Sequence, residues 1–109
     1  MKAIVFTARA MTEFEDIQTW TLEAFGRAQV IRYSEALTAR LSAIAAGHVR
    51  GRSLSMLTGA PGHEGISQLR AGQHLIVYRE THDTITILAL PHGRRDLAAL
   101  AFPTDPNEA

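Results

Sequence analysis

Between residues 90 and 97 the chain reads Leu-Pro-His-Gly-Arg-Arg-Asp-Leu, which packs His92, Gly93, Arg94, Arg95 and Asp96 into five positions. A histidine titrates near neutrality, and an arginine is a permanent cation with a flat fork of donors. Together they can serve acid–base catalysis, dock an acidic partner, or do no more than make a turn and cap a helix. Arg70 and Arg79 lie upstream on what read as neighbouring strands. An antiparallel sheet could gather them with Arg94 and Arg95 on one surface, suited to phosphates or to acidic side chains. Solvated strand ends would look the same and contribute little each. A metal-free ribonuclease needs a base, cationic donors and an acid within hydrogen-bond reach. His92, Arg70 and Arg79 could nominally fill those roles. No lysine occurs beyond Lys2, and both tyrosines, Tyr33 and Tyr78, fall inside expected elements.

The remaining candidates are weaker. The five histidines, His48, His63, His74, His82 and His92, show no metal-ligand spacing and read as scattered surface residues. His63-Glu64 could form an acid–base pair, but it lies in a glycine-rich stretch that reads as solvated loop. No phosphate-cradling glycine motif and no nucleophile elbow is present. No cofactor or metal is expected. The chain has no cysteine, which removes disulfides, thiolate ligands and cysteine nucleophiles.

These residues must be positioned by a single domain, since 109 residues support one modest core. The 11 basic and 11 acidic residues cancel, so global charge does not point to non-specific nucleic-acid binding. No apolar run is long enough to span a membrane, and charges close behind "AIVF" leave no signal-peptide core. A soluble, cytoplasmic protein is expected.

"KAIVFT" (2–7) is β-branched and aromatic, as a strand requires. Thr7 can cap a helix over 8–25 whose stripe is Ala10, Phe14, Ile17, Thr21 and Ala24 or Phe25. Gly26 ends it. A second helix over 27–46 carries Val30, Tyr33 or Ser34, Leu37, Leu41 and Ile44 or Ala45, and Gly47 stops it. The two form a hairpin. Residues 47–65 hold five glycines and read as loop, with one short turn around "SLSML". Strands follow over 65–72, 73–80 and 84–90, the last closed by Pro91 and apolar on both faces, hence central. Asp96 can cap a short helix over 97–102, and 103–109 read as a flexible tail. The fold class is α+β, two layers in the order β-α-α-β-β-β. The helical hairpin covers one face of a mainly antiparallel sheet; the other face and the edges stay open for partners.

The segment 69–100 closely resembles the C-terminal half of ParE-type toxins of the RelE/ParE superfamily. Leu69, Gly72, His74, Ile76, Tyr78 and Arg79 match its "H-x-I-x-Y-R" region; His92, Gly93, Arg95 and Asp96 match its terminal "L-H-G-x-R-D". The helical half is similar more loosely, and the likeness covers about 3–102. Pro91 stands where the family usually has leucine, which bears on the reach of His92. The resemblance implies the toxin of a type II toxin–antitoxin pair, acting on DNA gyrase by protein contact and trapping it with cleaved DNA. It implies a cognate antitoxin that docks a helix and a strand, giving a hetero-oligomer, with no membrane partner and no direct sequence-specific nucleic-acid binding. The lysines and terminal tyrosine of RelE-type ribonucleases have no counterparts here. The expected target surface is Arg70, Arg79, His92, Arg94 and Arg95, with no catalytic residue. The expected antitoxin groove is Trp20, Phe25 and Tyr33, although each is more readily explained as core. The rival activity is ribosome-associated mRNA cleavage; a third reading is a scaffold that has lost toxicity and acts only as an antitoxin-bound regulator.

Overall fold

A computed structural model describes residues 1–102, so the expected tail lies outside the described residues. Strand β1 (Ala3–Phe6) leads into α1 (Ala8–Phe25) and α2 (Arg27–Ala45). Thr7 accepts the Ala10 N–H at 3.0 Å and so caps α1. Gly26, at φ 89°, joins the helices in the left-handed region where a side chain would be strained. The segment expected to be loop contains a two-residue strand, β2 (Arg52–Ser53), and a short helix, α3 (Leu54–Thr58). Ser53 caps α3 through Met56 N–H. Then come β3 (Ile66–Ala71), β4 (His74–Glu80), β5 (Thr84–Ala89) and one 3₁₀ turn over Leu97–Ala99. Asp96 caps that turn, as expected, through Ala98 N–H at 3.1 Å, but it stops three residues short of 102.

The five strands lie in the order β1-β5-β4-β3-β2. β2 through β5 pair antiparallel, whereas β1 pairs parallel with β5. The two helices that separate β1 from the remaining strands allow that pairing, since parallel neighbours need a long crossover. β5 is therefore interior, flanked by β1 and β4, which accounts for its two apolar faces.

The α1–α2 hairpin packs on one face, over Ile76, Tyr78, Ile85 and Ile87, with Ala10, Ile17, Leu37 and Leu41 buried beneath it. The expectation that the opposite face stays open is corrected. Leu54, Ile66, Leu75, Val77, Leu88 and Ala89 form a second buried cluster there, covered by α3 and by Leu97 and Phe102. Leu88 and Ala89 fall in the same cluster because a bulge opposite Val77/Tyr78 breaks the alternation; Val77 pairs with Ala89 and Tyr78 with Ile87.

The reading of His63 as a solvated loop residue is also corrected. It is 1% exposed. Its Nε2 donates to the Leu100 carbonyl at 2.6 Å, and its Nδ1 meets the Thr58 hydroxyl at 2.8 Å. A carbonyl can only accept, so Nε2 carries the proton. His63 thus fastens the C-terminal segment under α3. Arg9 fastens the next two residues, donating to the Ala101 carbonyl at 3.2 Å and lying 5.4 Å over the Phe102 ring. Glu13 beside it accepts the Leu90 N–H at 2.7 Å, satisfying a donor that Pro91 prevents the strand from continuing past.

Candidate functional site

The β3–β4 turn and the end of β5 meet at one corner of the sheet. His74, the first residue of β4, bridges to His92, and the two rings stand edge to face 5.4 Å apart. The backbone is locked there: Leu75 N–H donates to Pro91 O and Gly93 N–H to Gln73 O, both at 2.8 Å. Pro91 thus accepts where it cannot donate, and His92 is held against β4. Arg94 N–H donates to His92 Nδ1 at 3.1 Å and Arg95 N–H to His92 O at 2.9 Å. His92 Nδ1 is an acceptor in this arrangement, which leaves Nε2 as the ring's outward N–H.

Tyr33 of α2 ties this corner to the helices. Its hydroxyl lies 2.6 Å from His74 Nδ1 and 3.0 Å from the Ala71 carbonyl, and it accepts the Gln73 N–H at 3.2 Å. One phenolic proton serves either the carbonyl or the imidazole; in the first case His74 Nδ1–H is the donor. Burial raises the Tyr33 pKa, so the phenol stays protonated at neutral pH. Burial, and then the neighbouring His92, lower that of His74, which is neutral under the same conditions. Gly72 makes the approach possible: a Cβ there would lie 2.6 Å from the Tyr33 ring.

Trp20, Phe25 and Tyr33 come together, as expected, with Gly72 and His74 around a cleft of about 110 Å³. Trp20 and Phe25 are 55% and 65% exposed and stack edge to face at 5.5 Å, so neither is core. A neighbouring depression of about 250 Å³ shares Trp20 and His74 and adds Asp16 and His92.

Of the five residues expected on the target surface, Arg70, His92 and Arg94 line one open cleft with Gln73 and Gly93. The Arg70 guanidinium donates to Gly72 O at 3.1 Å and lies where a Gly93 side chain would sit, 2.7 Å away. Arg95 is exposed beside them. Arg79 does not join. It pairs with Ile66, while Arg70 pairs with Leu75, so the two arginines occupy opposite ends of the β3–β4 hairpin. Arg79 lies five positions along β4 from His74, roughly 16 Å of strand. Convergence of all the arginines on one surface is therefore corrected; antiparallel pairing sends the two strand ends apart.

Sequence reasoning passed over His74 as a site residue, and over Arg50 and Arg52, which share a larger cleft with Arg70. A histidine one step past a Gly72-Gln73 turn was the available signal for the first. The arginines were hidden in a segment read as loop. Among the described residues no group of histidines and carboxylates could hold a metal ion, and no helix is long and apolar enough to cross a membrane.

The site is thus a basic corner beside an aromatic cleft, carried by an α-helical hairpin on a five-stranded sheet. The family model described as "ParE toxin of type II toxin-antitoxin system, parDE" matches residues 4–97. The chain belongs to this family of type II toxins. A chain of the chromosomal ParDE toxin–antitoxin system from P. aeruginosa has the same fold, with a TM-score of 0.66 and 16% identity over 84% of this chain and 96% of that one. No curated protein matches the sequence.

Proposed function

We propose that the protein is a toxin that inhibits DNA gyrase through protein–protein contact and is neutralised by a cognate antitoxin. The family match over 4–97 carries this reading. The geometry supports it in two places. Arg70, His92 and Arg94 present donors on an open surface, the Arg70 guanidinium held by Gly72 O, as carboxylates of a protein partner require. The Trp20–Phe25–Tyr33 cleft suits anchors of an amphipathic antitoxin helix, and β1, at the sheet edge, suits strand addition. The ParDE system named above pairs a toxin with an antitoxin, which supports the same partner here.

One observation favours mRNA cleavage as a second reading. Tyr33, His74 and His92 form a contiguous acid–base group, with Arg70 close by to meet a phosphate. Induction in growing cells separates the two. Gyrase trapped on cut DNA leaves a fragmented chromosome and intact transcripts; that is the expected outcome. Cut transcripts on an intact chromosome, lost on His92→Ala, would establish the second reading instead.

A further inference from the structure

A second basic surface lies next to the first, on the face of the sheet away from the α1–α2 hairpin. Arg50, Arg52 and Arg70 line a cleft of about 570 Å³, flanked by Leu57, Leu75 and Leu97. It adjoins the cleft of Arg70, His92 and Arg94, with Arg70 and Gly93 common to both. Among the described residues no acidic side chain lines either one. In a chain whose 11 basic and 11 acidic residues cancel, four arginines without a lining carboxylate mark a strong local separation of charge. Asp96, the nearest acid in sequence, has a carboxylate oxygen engaged in capping Ala98.

The register sets the spacing. Arg52 stands opposite Gln68, and Arg70 follows Gln68 by two positions on β3, so both arginines project from one face. As diagonal neighbours they stand roughly 7–8 Å apart. Arg70 pairs with Leu75, which belongs to the second core cluster, and this fixes the face. Two arginines projecting from neighbouring strands on one face favour an anion between them, and among the described residues no carboxylate lines the cleft. The Arg70 head is also held in advance by Gly72 O and Gly93, with donors left over.

We infer that this cleft binds the phosphodiester backbone of a DNA strand, independently of sequence. Arginines interspersed with leucines suit a chain in which anionic phosphates alternate with less polar sugars. An acidic protein surface offers no such repeat. Among the described residues no aromatic side chain lines the cleft for bases to stack on, so the backbone is what it reads. The choice of DNA rests on the gyrase reading, since that target holds cut DNA; the phosphodiester chemistry does not.

Fluorescence anisotropy of the purified full chain with a labelled 20-nucleotide DNA strand tests this without gyrase. Three to four phosphate contacts predict that affinity falls roughly 20- to 50-fold between 50 and 200 mM salt. The double variant Arg50→Gln/Arg52→Gln, checked for an unchanged melting temperature, should bind more weakly, with a salt slope lower by about 1.4. A poly-glutamate peptide of equal charge should bind more weakly than the DNA, while an RNA strand of the same sequence, which offers the same phosphodiesters, should bind no more tightly. No binding by the wild type, or unchanged binding by the double variant, would overturn the site. Equal binding of poly-glutamate would reassign it to an acidic protein, and tighter binding of RNA would overturn the choice of DNA. Gyrase inhibition without strand binding refutes this inference alone; strand binding without gyrase inhibition refutes only the target.

Discussion

His74 shows how one side chain acquires character from its surroundings. Its imidazole is half-buried between the Tyr33 hydroxyl and the His92 ring, and both burial and His92 disfavour its charged form. Its pKa is therefore lowered from the ordinary 6.5 on folding. In the window just below 6.5 the unfolded chain binds the proton and the folded chain does not, so stability is lost as pH falls through it. His74→Gln keeps a polar group beside Tyr33 and removes that titration. The wild type should lose more of its melting temperature than the variant between pH 7.5 and pH 5.5. Parallel losses would show that His74 carries no such linkage.

Among the elements, the β3–β4 turn does most to set the corner. Gly72 has φ +62° and faces Tyr33, whereas Gly59 has φ +65° and faces open space. Alanine at either position incurs about 1–2 kcal/mol for the left-handed backbone. Only Gly72→Ala also drives a methyl into the Tyr33 ring, so it should cost more than Gly59→Ala, with a larger drop in thermal midpoint. Equal drops would mean that Tyr33 is free to move aside. Elements of this kind were largely legible beforehand. The stripe of Ala10, Ile17 and Thr21, the cap at Thr7 and the stop at Gly26 are local signals, and all three are realised. The short turn around "SLSML" was also legible and is α3, capped locally by Ser53, whereas β2 and the burial of His63 were not. Each depends on a distant partner, Gln68 for Arg52 and the Leu100 carbonyl for His63, that no local pattern announces. The parallel pairing of β1 with β5 is hidden for the same reason.

At the scale of the whole molecule, the fold separates two kinds of surface. Exposed aromatic rings lie on the α1–α2 side, and arginines lie at the β3–β5 corner and beyond it. His74 lines the aromatic cleft and His92 the basic one, and the bridge between them joins the two. The site was legible in part. The "HGRRD" motif pointed to the basic corner, but only the register could show that Arg70 belongs to it and Arg79 does not. The central claim is that this basic surface docks on gyrase, and a supercoiling assay with purified protein tests it most directly. The wild type should block supercoiling and accumulate cleaved DNA, while Arg94→Glu/Arg95→Glu, folded to the same melting temperature, should lose both effects. No inhibition and no cleaved complex at saturating wild-type protein would contradict the account, as would full inhibition by the charge-reversed variant.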